Sequence, residues 1–447
     1  MRPELLKRYA APVPRYTSYP TAPHFSNAID GETYGAWLGA LDAGLPLSLY
    51  VHIPFCNEMC WYCGCSTKVT RQHAPIARYL EGLMKEIDTV SNRIGSQHDV
   101  THIHWGGGSP SILPPEDILA LASALKSRFA LARNAEFAVE IDSRGLDEDR
   151  IAAFAQAGVN RVSVGVQDFH PDVQRAINRI QSFELTSWVV DTFRKHGIGS
   201  INVDLVYGLP FQTLETLDQT MDHVLALKPD RIALFGYAHL PSRITHQRLI
   251  DESALPDTQQ RFLQANRAAE RLVDGGYVTV GLDHYARPDD PLASGNIRRN
   301  FQGYTTDDAA ALIGLGASSI GRLPQGYVQN ATPIADYERR VSEGGLATVR
   351  GHALSVEDAA RALVIERLMC DFTFPAGELR DKFGAVAEPI IAEAAALCRS
   401  DTEDMVLPSG EGGEFRVTDK GRIFVRSICA RFDTYLGKGT AKHSAGV

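Results

Sequence analysis

At 447 residues, with 44% hydrophobic and 22% charged residues, the chain has the composition of an ordinary globular protein and the length for two domains. A formal net charge of −9 argues against the basic face that non-specific nucleic-acid binding needs, and no uninterrupted apolar run is long enough to span a bilayer. The opening MRPELLKRYA has no apolar signal-peptide core, so a cytoplasmic location is expected, with neither nucleic acid nor membrane as partner.

Residues 1–46, rich in Pro, Tyr and Ser (PVPRYTSYPTAPHFS), read as an ordered arm. From Leu47 a strand–loop–helix rhythm sets in. LSLYVHI precedes a cysteine loop and a helical pattern over 79–94, and THIHW precedes a glycine run and a helix over 115–129. FAVEI leads to a helix over 147–157, and RVSVGV to one ending near His196; INVDLVYG and DRIALFGY are the next strand-like runs. At least six βα units fit before Tyr285, predicting an α/β fold with a parallel sheet, open or closed as a barrel, over 47–350. After Arg287 the rhythm fades. Residues 351–447 read as a smaller, mostly helical domain, with helices over 355–384 and 388–400 and a hairpin-plus-helix in MVLPSGEGGEFRVTDKGRIFVRSICARF.

Seven cysteines, four of them within CNEMCWYCGC, do not make a disulfide framework. Cys56, Cys60 and Cys63 stand with three and then two residues between them, in the loop after the first strand. Three thiolates on one loop suit three corners of a cubane, leaving a fourth iron open to an amine and a carboxylate. Structural zinc wants four ligands, usually in two separated pairs, and reduced bystander thiols are the third reading. Cys370, Cys398 and Cys429 fall in helical patterns as small core residues.

The run WGGGSPS, with Gly107, Gly108 and Ser109, follows the second strand, where glycines let a backbone approach a ligand closely. Glu140, Gln167 and Asp204 recur at strand ends and Arg179 in a following loop, the places where barrel enzymes keep their chemistry. In RNFQGYTT, Arg298 and Arg299 with Gln302 and Tyr304 could grip propionate-like anions; the alternative is a polar surface loop.

Assembled, these residues resemble the oxygen-independent coproporphyrinogen III oxidases (dehydrogenases) of the radical S-adenosylmethionine superfamily. The resemblance runs from PRYTSYPT to ICARFDTYL, through VHIPFC, CWYCGC, GVNRVSVGVQDF, DLVYGLP, DHYARPDD and RNFQGYTT. It implies a partial (β/α)6 TIM-type barrel with an N-terminal arm and a helical C-terminal domain. The implied activity is anaerobic oxidative decarboxylation of two propionates of coproporphyrinogen III to vinyl groups in haem biosynthesis, giving protoporphyrinogen IX. A [4Fe–4S] cluster would be held by Cys56, Cys60 and Cys63. Tyr50, Gly107, Glu140 and Ile320 would touch the S-adenosylmethionine on the cluster, while Tyr62, Gly108, Ser109, Gln167, Arg179, Asp204 and Ala238 would hold a second. Cys65 would be required without being a ligand, and Tyr50 shares that catalytic expectation. A flavodoxin or ferredoxin would supply electrons, and the chain would be a monomer.

The sequence departs from the family at Ser109 for threonine, Ser143 for proline, Ile180 for an acidic residue and Gly236 for asparagine. Two rivals share the cluster or the barrel: a haem-opening or methyl-transferring radical enzyme, and a haem chaperone. The chaperone relatives lack the Gly64–Cys65 pair and the PRYT arm, both present here.

Overall fold

A computed structural model describes residues 9, 11–95, 97–407 and 414–438. Most of the opening MRPELLKRYA and residues 408–413, within the segment expected to form a hairpin, lie outside these residues. The rhythm of the sequence becomes six neighbouring parallel strands: β1 (Leu47–Ile53), β2 (Asp99–Gly107), β3 (Ala130–Ile141), β4 (Arg161–Gln167), β5 (Ser200–Tyr207) and β6 (Arg231–Gly236). LSLYVHI is buried nearly throughout because both faces are covered, as parallel strands require; only Tyr50 is partly open. Helices return the chain between strands, and their starts are legible. Asp147, Ser182 and Thr213 each accept a backbone N–H at a helix N-terminus, at Arg150, Leu185 and Thr216.

The sheet does not close. It has twelve strands, with His284–Ala286 and Val278–Val280 added antiparallel beyond β6, so the six βα units form a partial barrel, as expected. One part of the sequence reading needs correcting. Beyond Arg287 the sheet continues: Ala311–Leu315 runs parallel to β1 on its other side, followed by the antiparallel strands Ile320–Leu323, Gly326–Asn330 and Thr348–Ala353. These strands are short, glycine-interrupted and joined without helices between the first three, so no βα period announces them.

The two largest apolar cores among the described residues are separate. One fills the barrel; the other joins the helices Val356–Asp371 and Ala387–Ser400 to the small sheet of Thr373–Pro375, Val406–Leu407 and Glu414–Val417. Tyr16 and Tyr19 of the arm belong to this second core. Their hydroxyls reach Asp433 at 3.0 Å and Thr434 at 3.1 Å, and Arg426 donates to the carbonyls of Val13 and Pro14.

Candidate active site

The loop after β1 is pinned at its base and along its length. Phe55–Cys56 pairs with Lys68–Val69, closing the loop on itself. Farther along, Asn178 donates to Met59 O (2.8 Å), Trp61 N to Ile177 O (2.9 Å) and Gln247 to Tyr62 O (2.9 Å). Cys56, Cys60, Cys63 and Cys65 thereby line one cavity of about 670 Å³ at the C-terminal ends of the parallel strands.

Each of the three expected ligand sulfurs meets a donor. Thr67 Oγ1 lies 3.3 Å from Cys56 Sγ, and the Cys65 N–H 3.4 Å from Cys63 Sγ. Arg144 and Arg179 lie 3.1 and 3.5 Å from Cys60 Sγ. Asp142 ties these two arginines together, at 2.6 Å from Arg144 and 3.3 Å from Arg179. Burial would raise Asp142, but the two guanidinium groups outweigh it and hold the carboxyl at about 2. Hydrogen bonds from Cys65 pull the Cys63 thiol down, while burial pushes Cys56 up to about 11.

The glycine run has a packing reason that its sequence does not show. A Cβ on Gly106 would sit 2.7 Å from Glu140 Oε1, one on Gly107 (φ +116°) 2.6 Å from the His52 ring, and one on Gly108 2.5 Å from Phe55 O. Glu140 accepts from the Gly107 N–H at 3.1 Å and pairs with His104 at 3.2 Å. Burial works to raise its carboxyl, yet these partners hold it below the usual carboxylate range. His52 donates from Nε2 to Ser66 O (2.9 Å) and accepts at Nδ1 from the Tyr50 hydroxyl (2.9 Å). Burial holds this imidazole neutral.

Ser163 and Asn202 donate to Asp204, each at 2.8 Å, and burial raises the Asp204 carboxyl nonetheless. Gln167 sits at φ +70°, strained for a side chain with a Cβ, at the end of β4 where the cavity begins. Arg179 donates to Gly165 O at 2.5 Å, so it is braced from both sides.

Thirteen of the nineteen residues singled out in the sequence line this one cavity: Tyr62, Gly107, Gly108, Ser109, Glu140, Gln167, Arg179, Asp204 and Ala238, with the four cysteines. Tyr50, Ile320 and the four of RNFQGYTT do not. Tyr50 lies behind, stacked on His104, and Ile320 opens its strand beside Gly314, the register partner of Tyr50. Arg298 faces Glu366 at 3.7 Å in a separate cavity, whereas Arg299 is buried against Asp283 (3.5 Å) and over the Tyr304 ring. RNFQGYTT is thus no surface loop. It is a short hairpin, Arg298–Asn300 with Gly303–Thr305, clipped to the C-terminal unit by Tyr304 O–H to Met369 O at 2.5 Å.

Sequence reasoning missed Asp142, Arg144, Thr67, His52 and His104. Asp142 carried a usable signal, since it stands two residues beyond Glu140 in VEID; Arg144 carried none. Among the described residues, no three His, Cys, Asp or Glu side chains converge as a single ion with metal–sulfur bonds of about 2.3 Å would require. Three donor-supported sulfurs spread around one cavity suit separate corners of a cluster.

A parallel barrel sheet with a CxxxCxxC loop on its first strand defines a radical S-adenosylmethionine enzyme, and the Radical SAM superfamily model matches residues 50–224. Such enzymes carry a [4Fe–4S] cluster and S-adenosylmethionine. The chain is 48% identical to the oxygen-independent coproporphyrinogen III oxidase of Bradyrhizobium diazoefficiens, over the whole of both chains. It is 44% identical to that of Paracoccus denitrificans, covering 99% of this chain and 98% of the relative. The structure of the Escherichia coli coproporphyrinogen III oxidase, a radical SAM enzyme, superposes with a TM-score of 0.89 at 38% identity, over 94% of this chain and 97% of that one. The chain belongs to the oxygen-independent coproporphyrinogen III oxidase family.

Proposed function

We propose that the chain converts two propionates of coproporphyrinogen III to vinyl groups without oxygen, yielding protoporphyrinogen IX for haem biosynthesis. The observation that carries this is the single cavity into which family membership, three donor-supported cysteines and the strand-end polar residues all lead. When bound, a cluster held by Cys56, Cys60 and Cys63, together with S-adenosylmethionine, would supply a radical oxidant strong enough to act on an unactivated propionate carbon.

The chain's own residues hold and orient. Cys56, Cys60 and Cys63 would ligate iron, and Thr67, Arg144 and the Cys65 N–H donate to their sulfurs. Glu140, fixed by His104 and Gly107, remains ionised to accept ribose hydroxyls or an ammonium group. Tyr50 and Ile320 act from just outside the cavity wall. Arg179, Gln167, Asp204, Tyr62, Gly108, Ser109 and Ala238 would hold a second S-adenosylmethionine; a cavity of about 670 Å³ supports that reading. Cys65 lines the same cavity without being needed as a fourth ligand, and we assign it a role beside the substrate.

The working units are an arm (1–46), the barrel (47–350) and the C-terminal unit (351–447), in a cytoplasmic monomer served by a flavodoxin- or ferredoxin-like donor. Among the described residues no helix is long and apolar enough to cross a membrane. An anaerobic assay of the reconstituted protein with S-adenosylmethionine, a reductant and coproporphyrinogen III tests the reading. Vinyl product together with 5′-deoxyadenosine is the expected result. Haem binding without cleavage of S-adenosylmethionine would instead establish a chaperone.

A further inference from the structure

At the seam between β6 and the C-terminal unit lies a second cavity, of about 240 Å³. Five arginines line it (Arg15, Arg261, Arg299, Arg422 and Arg426) against two carboxylates, Asp283 and Asp419. Arg422 and Asp419 pair with each other at 3.2 Å on the exposed side. Inside, Asp283 is left to serve Arg299, at 3.5 Å, and its neighbours. Arg15 donates to Gly236 O (2.9 Å), and the Arg261 guanidinium stands 5.8 Å from the centre of the Tyr207 ring. Arg15 is exposed and stands at the rim of this cavity.

Guanidinium groups do not discharge, so holding Arg15, Arg261 and Arg299 around Asp283, the one inner carboxylate among the described lining residues, favours an added anion. Burial pulls Arg15 and Arg261 below the ordinary arginine range, as expected of cations with too little counter-charge. The cavity also adjoins the cysteine cavity. Arg15, Phe235, Gly236 and Tyr237 line both. At the shared wall Gly236 lets Tyr207 and Arg261 pack close: a Cβ there would sit 2.9 Å from the Tyr207 hydroxyl and 3.3 Å from Arg261 Nη2.

We propose that this arginine cavity, built by Arg15, Arg261, Arg299 and Arg426, holds the two propionates that the substrate keeps. The assignment rests on the reading of the chain as a coproporphyrinogen decarboxylase. The two reacting propionates must enter the cysteine cavity. The retained pair needs a cationic site within the span of one macrocycle, and guanidinium forks match carboxylates two bonds at a time. Arg299, singled out in the sequence for this task, belongs to the site; Arg298 does not.

The test compares Arg261→Gln and Arg261→Lys with the unaltered enzyme, all carrying a full cluster by absorbance and a native circular dichroism spectrum. Arg261→Gln should raise the KM for coproporphyrinogen III at least tenfold and weaken protoporphyrinogen IX binding by a similar factor. Arg261→Lys should recover part of both. An unchanged KM overturns the proposal, and so does a raised KM with unchanged product binding, which would place the reacting propionates here. An unaltered enzyme that forms no vinyl product defeats the functional reading instead.

Discussion

Arg144 shows what the spacing of cysteines leaves unsaid. Its guanidinium, 3.1 Å from Cys60 Sγ and held by Asp142, places positive charge and an N–H donor against a cluster ligand. Hydrogen bonds and charge at the sulfurs set the potential of an iron–sulfur centre. Arg144→Gln should therefore make the cluster harder to reduce, seen as a lower midpoint in an anaerobic redox titration. An unchanged midpoint would remove Arg144 from that role. Gly107 is the second case at this scale. Its φ of +116° and the His52 ring at 2.6 Å from a would-be Cβ leave no room for alanine. Gly107→Ala should cost about 1–3 kcal/mol in urea unfolding and displace His52 from its bond to Tyr50. The sequence made the cysteines legible because ligand spacing is local. It could not show why three glycines stand together, since the groups that need the room (Glu140, His52 and Phe55) come from other strands.

At the scale of elements, the long helix His73–Arg93 is locked to the sheet by a buried carboxylate. Glu86 accepts from Gly316 N (2.6 Å), Asn330 Nδ2 (2.6 Å) and the Tyr337 hydroxyl (2.7 Å), tying the helix to the strands beyond Arg287. Burial outweighs those three donors and lifts its carboxyl from 4.5 to about 7. The native state then keeps a proton that the unfolded chain has released, so this group's contribution to stability is fullest below pH 4.5 and falls as pH rises towards 7. The loss from this group is on the order of 3 kcal/mol. Glu86→Gln should flatten that stretch of the stability–pH curve in chemical denaturation; a curve of unchanged slope would show that the proton is not held. Here the sequence was readable where strands and helices alternate, and unreadable where short strands pair antiparallel around glycines. The partners of Glu86 lie 230 to 251 residues away, beyond any local pattern.

For the whole molecule, two cores that share few apolar side chains predict divisible stability. Leu368, fully buried in the C-terminal core, should cost about 2–5 kcal/mol on truncation to alanine. In that variant the C-terminal unit should melt first, while the cluster chromophore on the barrel persists to a higher temperature. One coincident transition would show the cores to be a single cooperative unit. The resemblance of motifs from one end of the chain to the other made the architecture legible. The arginine cavity was not legible, because Arg15, Arg261, Arg299 and Arg426 meet only after the chain has folded back on itself.

The arm's attachments carry a consequence for the order of synthesis. Tyr16, Tyr19 and the carbonyls of Val13 and Pro14 find their partners at Asp433, Thr434 and Arg426, 412 to 417 residues further along the chain. The barrel strands can pair while translation continues, but the arm must wait for residues 426–434 before Arg15 can take its place at the rim of both cavities. A nascent or prematurely terminated chain could therefore assemble the cysteine loop and still lack a finished seat for the macrocycle.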